Sequence, residues 1–260
     1  MTLSYQHTDH VRHAVCAGVL TVTIDRPEKR NPLSLGVLAE ITEIFRRNAT
    51  EPDLRYAVVG ATGGRAFASG GDLDELAAFK TEGEAAAFSR HGKSALDSIR
   101  YFPVPVIARI DGLALGGGAE LALACDMRFA SANSRIGFIH GRLRISPSWG
   151  GGIDLIRLIG PARALMMMTR AGIVDAFDAQ AMGLFDVVAP ENQGDTAFAA
   201  FVAPLDAQSP QVMRAYKSLS IVDRKFGRQE ADTEETRHFA TVWAHPDHWD
   251  AVAELEKRKN

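Results

Sequence analysis

The residues of this chain best placed by type and spacing to do chemistry fall in two glycine-rich segments. The first is Phe67-Ala68-Ser69-Gly70-Gly71-Asp72-Leu73, and the second is Leu115-Gly116-Gly117-Gly118-Ala119-Glu120-Leu121. Each reads as extended chain or loop feeding the start of a helix. Glycine lets a backbone N–H approach a ligand closely. A helix N-terminus adds unpaired donors and the positive end of the dipole. Two such termini aimed at one point would hold a developing oxyanion. Either segment alone also fits a tight turn; the pair, in this order and spacing, is the specific signal. Other glycine-rich chemistries lack their patterns. There is no G-x-x-x-x-G-K-[ST] phosphate loop, no G-x-G-x-x-G after the first strand and no G-x-S-x-G elbow.

The elements that must position these segments alternate between strands and helices. Val19–Ile24 is rich in β-branched residues and reads as a strand, with a hairpin turn at Gly18. Asp25–Pro32 holds two prolines and reads as a loop. Ser34 then fits a helix N-cap, followed by an apolar stripe at Leu35, Leu38, Ile41 and Phe45. Tyr56–Ala61 is a second strand, Asp72–Phe79 a short helix and Ser89–Ile99 another helix. Val104–Ile110 is a strand ended by Asp111-Gly112, Ala119–Cys125 an apolar helix, and Met127–Ala130 extended again. This alternation implies an α/β class. Strand signals vanish after about Thr196, where Gln211–Val222, Gln229–Ala244 and Asp247–Lys259 all fit helices. The reading is an α/β core over residues 1–195 and a helical region over 196–260, which would dock on the core or on a neighbouring subunit.

Composition narrows the function. The chain has 260 residues, 46% of them hydrophobic and 23% charged, enough for a sizeable core. A net charge of −3 gives no global attraction to nucleic acid or to a membrane surface. No apolar stretch is long enough to span a bilayer, and Met1–Arg12 is polar, unlike a secretory leader. Cys16 and Cys125 read as reduced, buried thiols of a cytoplasmic protein. His7, His10 and His13 read as a solvated segment or strand edge, and His238, His245 and His248 as part of the helical tail, so no metal site is expected. Met166-Met167-Met168 reads as core filling, and Trp243 and Trp249 as packing of the tail.

Five stretches carry a family resemblance: Asp25–Asn31 (DRPEKRN), Ala66–Leu73 (AFASGGDL), Pro105–Asp126 (PVIARIDGLALGGGAELALACD), Gly150-Gly151, and Leu255–Lys259 (LEKRK). Over nearly its whole length the chain resembles the crotonase superfamily, also called enoyl-CoA hydratase/isomerase. The resemblance implies an α/β fold, the crotonase (ClpP-like) spiral of ββα units, with C-terminal helices that build a homotrimer or a homohexamer. It implies an acyl-CoA substrate, with coenzyme A arriving as part of that substrate and no metal or redox cofactor. The family's two oxyanion-hole amides map to Gly71 and Gly117, and its CoA-binding stretch to Ser69, Gly71, Asp72, Leu73 and Asp74. Lys29 and Arg30 either face the nucleotide phosphates or form a solvated charge cluster.

The catalytic positions show the main departure. Hydratases of the family hold water between two glutamates, and the first maps to Glu120. It lies one turn into the glycine-started helix, on an otherwise apolar stretch, where a buried carboxylate is costly without a purpose or partner. The second position falls on His140. Phe138-x-His140 together with Pro147-Ser148-Trp149-Gly150-Gly151 resembles the branch that contains ethylmalonyl-CoA decarboxylase. Loss of CO₂ from a malonyl-type thioester leaves an enolate, the species an oxyanion hole stabilises. A histidine can orient the departing carboxylate and supply a proton, whereas a second glutamate would repel it. Trp149 reads as a pocket wall, and Arg142 and Arg144 as surface or scaffold charges. The leading expectation is decarboxylation of a short branched malonyl-CoA, such as ethylmalonyl- or methylmalonyl-CoA. The alternatives are enoyl-CoA hydration or isomerisation using Glu120 with His140, and a silent acyl-CoA-binding subunit.

Overall fold

The computed structural model describes residues 10–225 and 227–257. The chain opens with a hairpin because Ala17 and Gly18 both take positive φ (47° and 75°), matching the twist of a two-residue turn. Strands β1 (Val11–Cys16) and β2 (Val19–Ile24) therefore pair antiparallel along their full length. Ser34 caps α1 (Leu35–Asn48) by accepting from Val37 N–H, as its type and position led one to expect. There follow β3 (Tyr56–Ala61), β4 (Ala66–Ala68), α2 (Leu73–Leu76), α3 (Glu82–Arg100), β5 (Val106–Ile110), β6 (Leu113–Leu115) and α4 (Gly117–Ala124). Next come β7 (Met127–Ser131), β8 (Arg135–Gly137), α5 (Gly151–Ile159), α6 (Pro161–Arg170), β9 (Val174–Asp175), α7 (Ala176–Met182) and β10 (Val187–Ala189). Four helices close the chain: α8 (Gly194–Asp206), α9 (Pro210–Lys225), α10 (Arg228–Ala244) and α11 (Pro246–Lys257).

Two sheets result, ordered β1-β2-β3-β5-β7-β10 and β4-β6-β8-β9. The pairs β3/β4, β5/β6 and β7/β8 each send one strand to the large sheet and the next to the small one, and a helix follows. This is the expected spiral of ββα units. The central strands are parallel and buried on both faces, which explains their unbroken apolar runs. The main core lies between the large sheet and α1, α3 and α4. A smaller core, with Tyr56, Val58, Ile107, Phe129, Val202 and Met213, fills the opposite face under α8 and α9.

Several boundaries differ from the sequence reading, for local reasons. Helix α3 begins at Glu82 rather than Ser89, because Thr81 and Glu84 form a reciprocal capping box. Helix α2 ends at Leu76 instead of reaching Phe79. Helix α8 was not anticipated. The strands of the small sheet are two or three residues long, too short to carry a period. Cys16 is exposed rather than buried, because β1 is an edge strand whose residues from Arg12 to Cys16 all face solvent; Cys125 is buried as expected.

The tail packs on the chain's own core. Helix α10 runs against α3. Trp243 Nε1 donates to Phe79 O at 2.7 Å, and His248 Nδ1 donates to Leu143 O at 2.6 Å.

Candidate active site

The two glycine segments meet because β4 and β6 are parallel neighbours, with Ala66 opposite Leu113 and Ala68 opposite Ala114. Beyond the strand ends, the chain turns at Gly70 (φ 111°) and Gly116 (φ 53°), conformations that favour glycine. A methyl group at Gly70 would stand 3.7 Å from Gly117 N, so the two turns are in contact. Leu33 holds the first turn from outside: its N–H donates to Gly70 O at 2.8 Å, and its carbonyl accepts from Asp72 N–H at 3.3 Å. Gly116 N–H donates to Gly137 O at 2.9 Å and holds the second. Among the described residues, neither Gly71 N–H nor Gly117 N–H has a backbone or side-chain acceptor. Two unpaired amides on adjoining turns are the donors an oxyanion requires.

Trp149 lies behind these turns. Its side chain is 2% exposed and wedges between α3 and α4, with the Phe88 ring edge-on at 5.5 Å. A methyl group at Gly117 would stand 2.3 Å from Trp149 Cζ3, and one at Gly92 would stand 2.1 Å from Trp149 Nε1. Glycine is therefore required at both places. The tryptophan expected as a pocket wall is instead the buried floor against which Gly117 is laid.

Glu120 is 1% exposed. Its carboxylate meets His140 and a single loop rather than open space. Oε1 accepts from His140 Nε2 at 3.1 Å and from Ser148 N at 3.4 Å. Oε2 accepts from Trp149 N at 2.9 Å and Gly151 N at 2.8 Å. Burial pushes this carboxyl up, but the bond to His140, its positive charge when protonated, and the Gly151 and Trp149 amides outweigh it, so the pKa falls below the ordinary carboxylate value. An ionised carboxylate only accepts, so His140 carries its proton on Nε2 toward Glu120. Nδ1 of His140 has no partner among the described residues.

The loop that holds Glu120 is clamped from its other side. Arg100 Nη2 donates to Trp149 O at 2.7 Å, and Arg228 Nη2 donates to Gly150 O at 3.1 Å. Both guanidinium groups share Asp154, Arg100 through Nε at 2.8 Å and Arg228 through Nη1 at 2.6 Å. Gly150 N–H donates to Glu235 Oε2 at 2.6 Å, and Lys93 Nζ lies 3.4 Å from that oxygen. Arg100, Asp154, Arg228, Lys93 and Glu235 escaped the sequence reading. Only Gly150-Gly151 signalled that this backbone is closely approached.

The remaining expected residues are placed as follows. Ser69 N–H donates to Arg30 O at 3.1 Å, which sets the loop bearing Lys29 and Arg30 beside Ser69–Asp74. Lys29 and Asp74 are exposed, and Leu73 is open at the start of α2. The Asp72 carboxylate points inward and pairs with Arg26 Nη1 at 2.9 Å, while its N–H donates to Leu33 O and its carbonyl accepts from Leu76 N–H at 3.0 Å, so Asp72 serves the turn rather than presenting a free group. Arg142 and Arg144 act as scaffold, with Arg142 Nε donating to Ala171 O and Arg144 Nη1 to Asp247 O. Met167 is buried, but Met166 faces solvent, since α6 has an outer face. His248 is packed between Trp243 and Trp249, with ring centres 4.5 and 4.6 Å away. His7 and the His238 side chain lie outside the described residues. Among the described residues no group of three or more His, Cys, Asp or Glu could hold a metal, and no helix is long and apolar enough to cross a membrane.

Comparison with known proteins places the chain in a family. The model of the enoyl-CoA hydratase/isomerase family matches residues 15–260. The chain is 34% identical over 207 residues to (E)-benzylidenesuccinyl-CoA hydratase of Thauera aromatica, covering 79% of this chain and 80% of that one. It is 29% identical over 248 residues to ethylmalonyl-CoA decarboxylase of Danio rerio, covering 94% and 82%. An enoyl-CoA hydratase structure from Bacillus halodurans superposes with a TM-score of 0.87 at 20% identity, covering 95% of this chain and all of that one, and shows the common fold. The chain thus belongs to the enoyl-CoA hydratase/isomerase family, the crotonase superfamily, and is one of its acyl-CoA enzymes, with coenzyme A carried by the substrate.

Proposed function

We propose that the protein decarboxylates the coenzyme A half-thioester of a short branched malonic acid, ethylmalonyl- or methylmalonyl-CoA. One observation carries this reading. Both oxygens of Glu120 are engaged, and its side-chain partner is His140 rather than a second carboxylate. A water molecule held between two free carboxylates has no counterpart here. The Gly71 and Gly117 amides receive the thioester oxygen. As the bond to the carboxylate carbon breaks, CO₂ leaves and the electron pair becomes the enolate, whose charge those amides stabilise. His140 delivers a proton to the α-carbon and regains one from water, while Glu120 stabilises its imidazolium form. Similarity to ethylmalonyl-CoA decarboxylase along most of the chain supports the same chemistry.

Water addition to an enoyl-CoA is the second reading, favoured by 34% identity to (E)-benzylidenesuccinyl-CoA hydratase. Incubation with ethylmalonyl-, methylmalonyl- and crotonyl-CoA, followed by mass analysis, separates the two readings. CO₂ loss without water addition supports decarboxylation, and hydration of crotonyl-CoA sinks it. Assembly as a trimer or hexamer is part of the same proposal. Tyr216, Leu219 and Val222, exposed by 62%, 72% and 71% on one face of α9, supply an apolar contact for it. A monomer in sedimentation at assay concentration would remove that part.

A further inference from the structure

We propose that Glu235, on the tail helix α10, is a positioning residue of the active site: by holding Gly150 N–H it fixes the loop whose other amides hold Glu120 and, through Glu120, His140. The inference rests on the reading of His140 and Glu120 as the working pair.

The four consecutive amides from Ser148 to Gly151 are divided between two carboxylates. Ser148, Trp149 and Gly151 donate to Glu120, and Gly150 donates to Glu235 at 2.6 Å. These amides lie at the start of α5, where a helix N-terminus favours negative charge. Gly150 adopts φ 82°, so its N–H turns away from those of its neighbours and toward α10. The carbonyls of Trp149 and Gly150 are held from the same rear side by Arg100 and Arg228. A loop pinned at each of these points has one conformation, and that conformation aims three amides at Glu120. Without Glu235 the Gly150 amide is buried without a partner, and the loop can relieve that only by moving.

The charged groups around Glu235 give the contact a pH response. Lys93 and Arg100 act on it from α3 and Glu120 from α4; Asp154 on α5 pairs with Arg100 and with Arg228 on α10, and Asp232 on α10 pairs with Lys93 and Arg228, one ion pair further out. Burial, then the charge of Glu120, raise the Glu235 carboxyl to about 7, while Lys93, the Gly150 amide and Arg100 pull against them. Lys93, Asp232 and Arg228 also line a cavity of about 890 Å³ between α3 and α10, which gives this edge of the network an opening to solvent. Ionisation of Glu235 places a second negative charge near the Glu120–His140 pair.

Two variants test the proposal. Glu235→Ala removes the acceptor; Glu235→Gln keeps an oxygen for Gly150 N–H and removes the charge. With ethylmalonyl-CoA, Glu235→Ala should lower kcat roughly tenfold with KM within about twofold, and Glu235→Gln should recover most of that loss. A readout free of turnover is ¹⁵N NMR of histidine-labelled protein, with the His140 signal assigned through His140→Ala. The wild-type His140 signal should report the ionisation of Glu235 near pH 7, a step absent in Glu235→Gln, and its Nε2 signal should shift in Glu235→Ala. If Glu235→Ala does not fold, the Glu235→Gln titration still decides. Unchanged His140 signals in both variants overturn the proposal, as does a Glu235→Gln enzyme as impaired as Glu235→Ala. A wild-type enzyme that ignores ethylmalonyl-CoA yet shows the expected NMR changes refutes the assigned reaction and leaves the positioning role standing.

Discussion

Replacing Glu120 separates its structural and chemical duties. In Glu120→Ala, the Trp149 and Gly151 amides, now bonded at 2.9 and 2.8 Å, lose their acceptor in a space closed to water, and the weaker Ser148 bond at 3.4 Å goes with them. Each buried donor left unpaired costs ~1–3 kcal/mol, so the two short bonds alone set a loss of about 2–6 kcal/mol. Against a typical total of about 5–15 kcal/mol, this is a large destabilisation. Glu120→Gln behaves differently. Its amide oxygen can replace Oε2 and serve Trp149 and Gly151, but its NH₂ then takes the place of Oε1, facing His140 Nε2 and Ser148 N–H. His140 must present a lone pair from Nε2, so its proton moves to Nδ1. The variant should fold with a loss of about 1–2 kcal/mol, yet lose at least ~100-fold in kcat, because the histidine is held in the wrong tautomer without a counter-charge. The sign with pH follows from the lowered Glu120 pKa: its stabilisation is present above the ordinary carboxylate value and is lost as pH falls through the folded one. The stability gap between wild type and Glu120→Gln should therefore narrow in acid. Urea unfolding measures the stability, ¹⁵N NMR the tautomer and steady-state kinetics the rate. A Glu120→Gln enzyme with an unchanged tautomer and kcat within threefold of wild type would refute the reasoning.

Other expectations follow from the same contacts. Gly92→Ala puts a methyl group 2.1 Å from Trp149 Nε1 and should push the ring toward Gly117, costing about 1–3 kcal/mol in a thermal melt and most of the activity. Adding Trp149→Phe should recover stability, and no recovery would mean that the ring is not the obstacle. Glu235→Gln should gain stability over wild type as pH rises. The raised carboxyl favours the folded state below about pH 4.5 and loses that contribution through about 7, a difference of up to ~3 kcal/mol by pH 8. Asp72→Asn breaks the 2.9 Å pair with Arg26, and should cost about 3–5 kcal/mol and raise KM for acyl-CoA, since that pair lies next to the Gly70–Gly71 turn. Wild-type melting and KM in that variant would show the pair to be dispensable.

What the sequence disclosed follows from which physical features leave a residue signature. Positive-φ turns and close backbone approach leave glycine, so the Gly70-Gly71 and Gly116–Gly118 turns were legible, as was Gly150-Gly151. A cap and an apolar stripe located α1, and β-branched runs located β2 and β3. Glu120 was legible as a costly carboxylate on an apolar helix, but its destination was not. Its acceptor role is satisfied by the backbone N–H groups of Ser148, Trp149 and Gly151, which any residue supplies and no side-chain type announces. The rear clamp escaped for a different reason. Arg100, Asp154, Arg228 and Glu235 lie on three helices and read locally as solvated charges; only the packing of α10 on α3 buries them together. Trp149 was placed near the site, yet its burial depended on Gly92, a residue with no local role to suggest it.

The central claim is that this site forms a thioester enolate by losing CO₂ and that His140 protonates it. Its most direct test is turnover of ethylmalonyl-CoA in D₂O, with mass analysis of the thioester and of released CO₂, for the wild type and His140→Ala. The account expects wild-type enzyme to release one CO₂ per thioester and to give butyryl-CoA with a single deuteron at the α-carbon, while His140→Ala binds coenzyme A but yields neither. Unchanged ethylmalonyl-CoA beside rapid hydration of crotonyl-CoA, or full activity of His140→Ala, would contradict it.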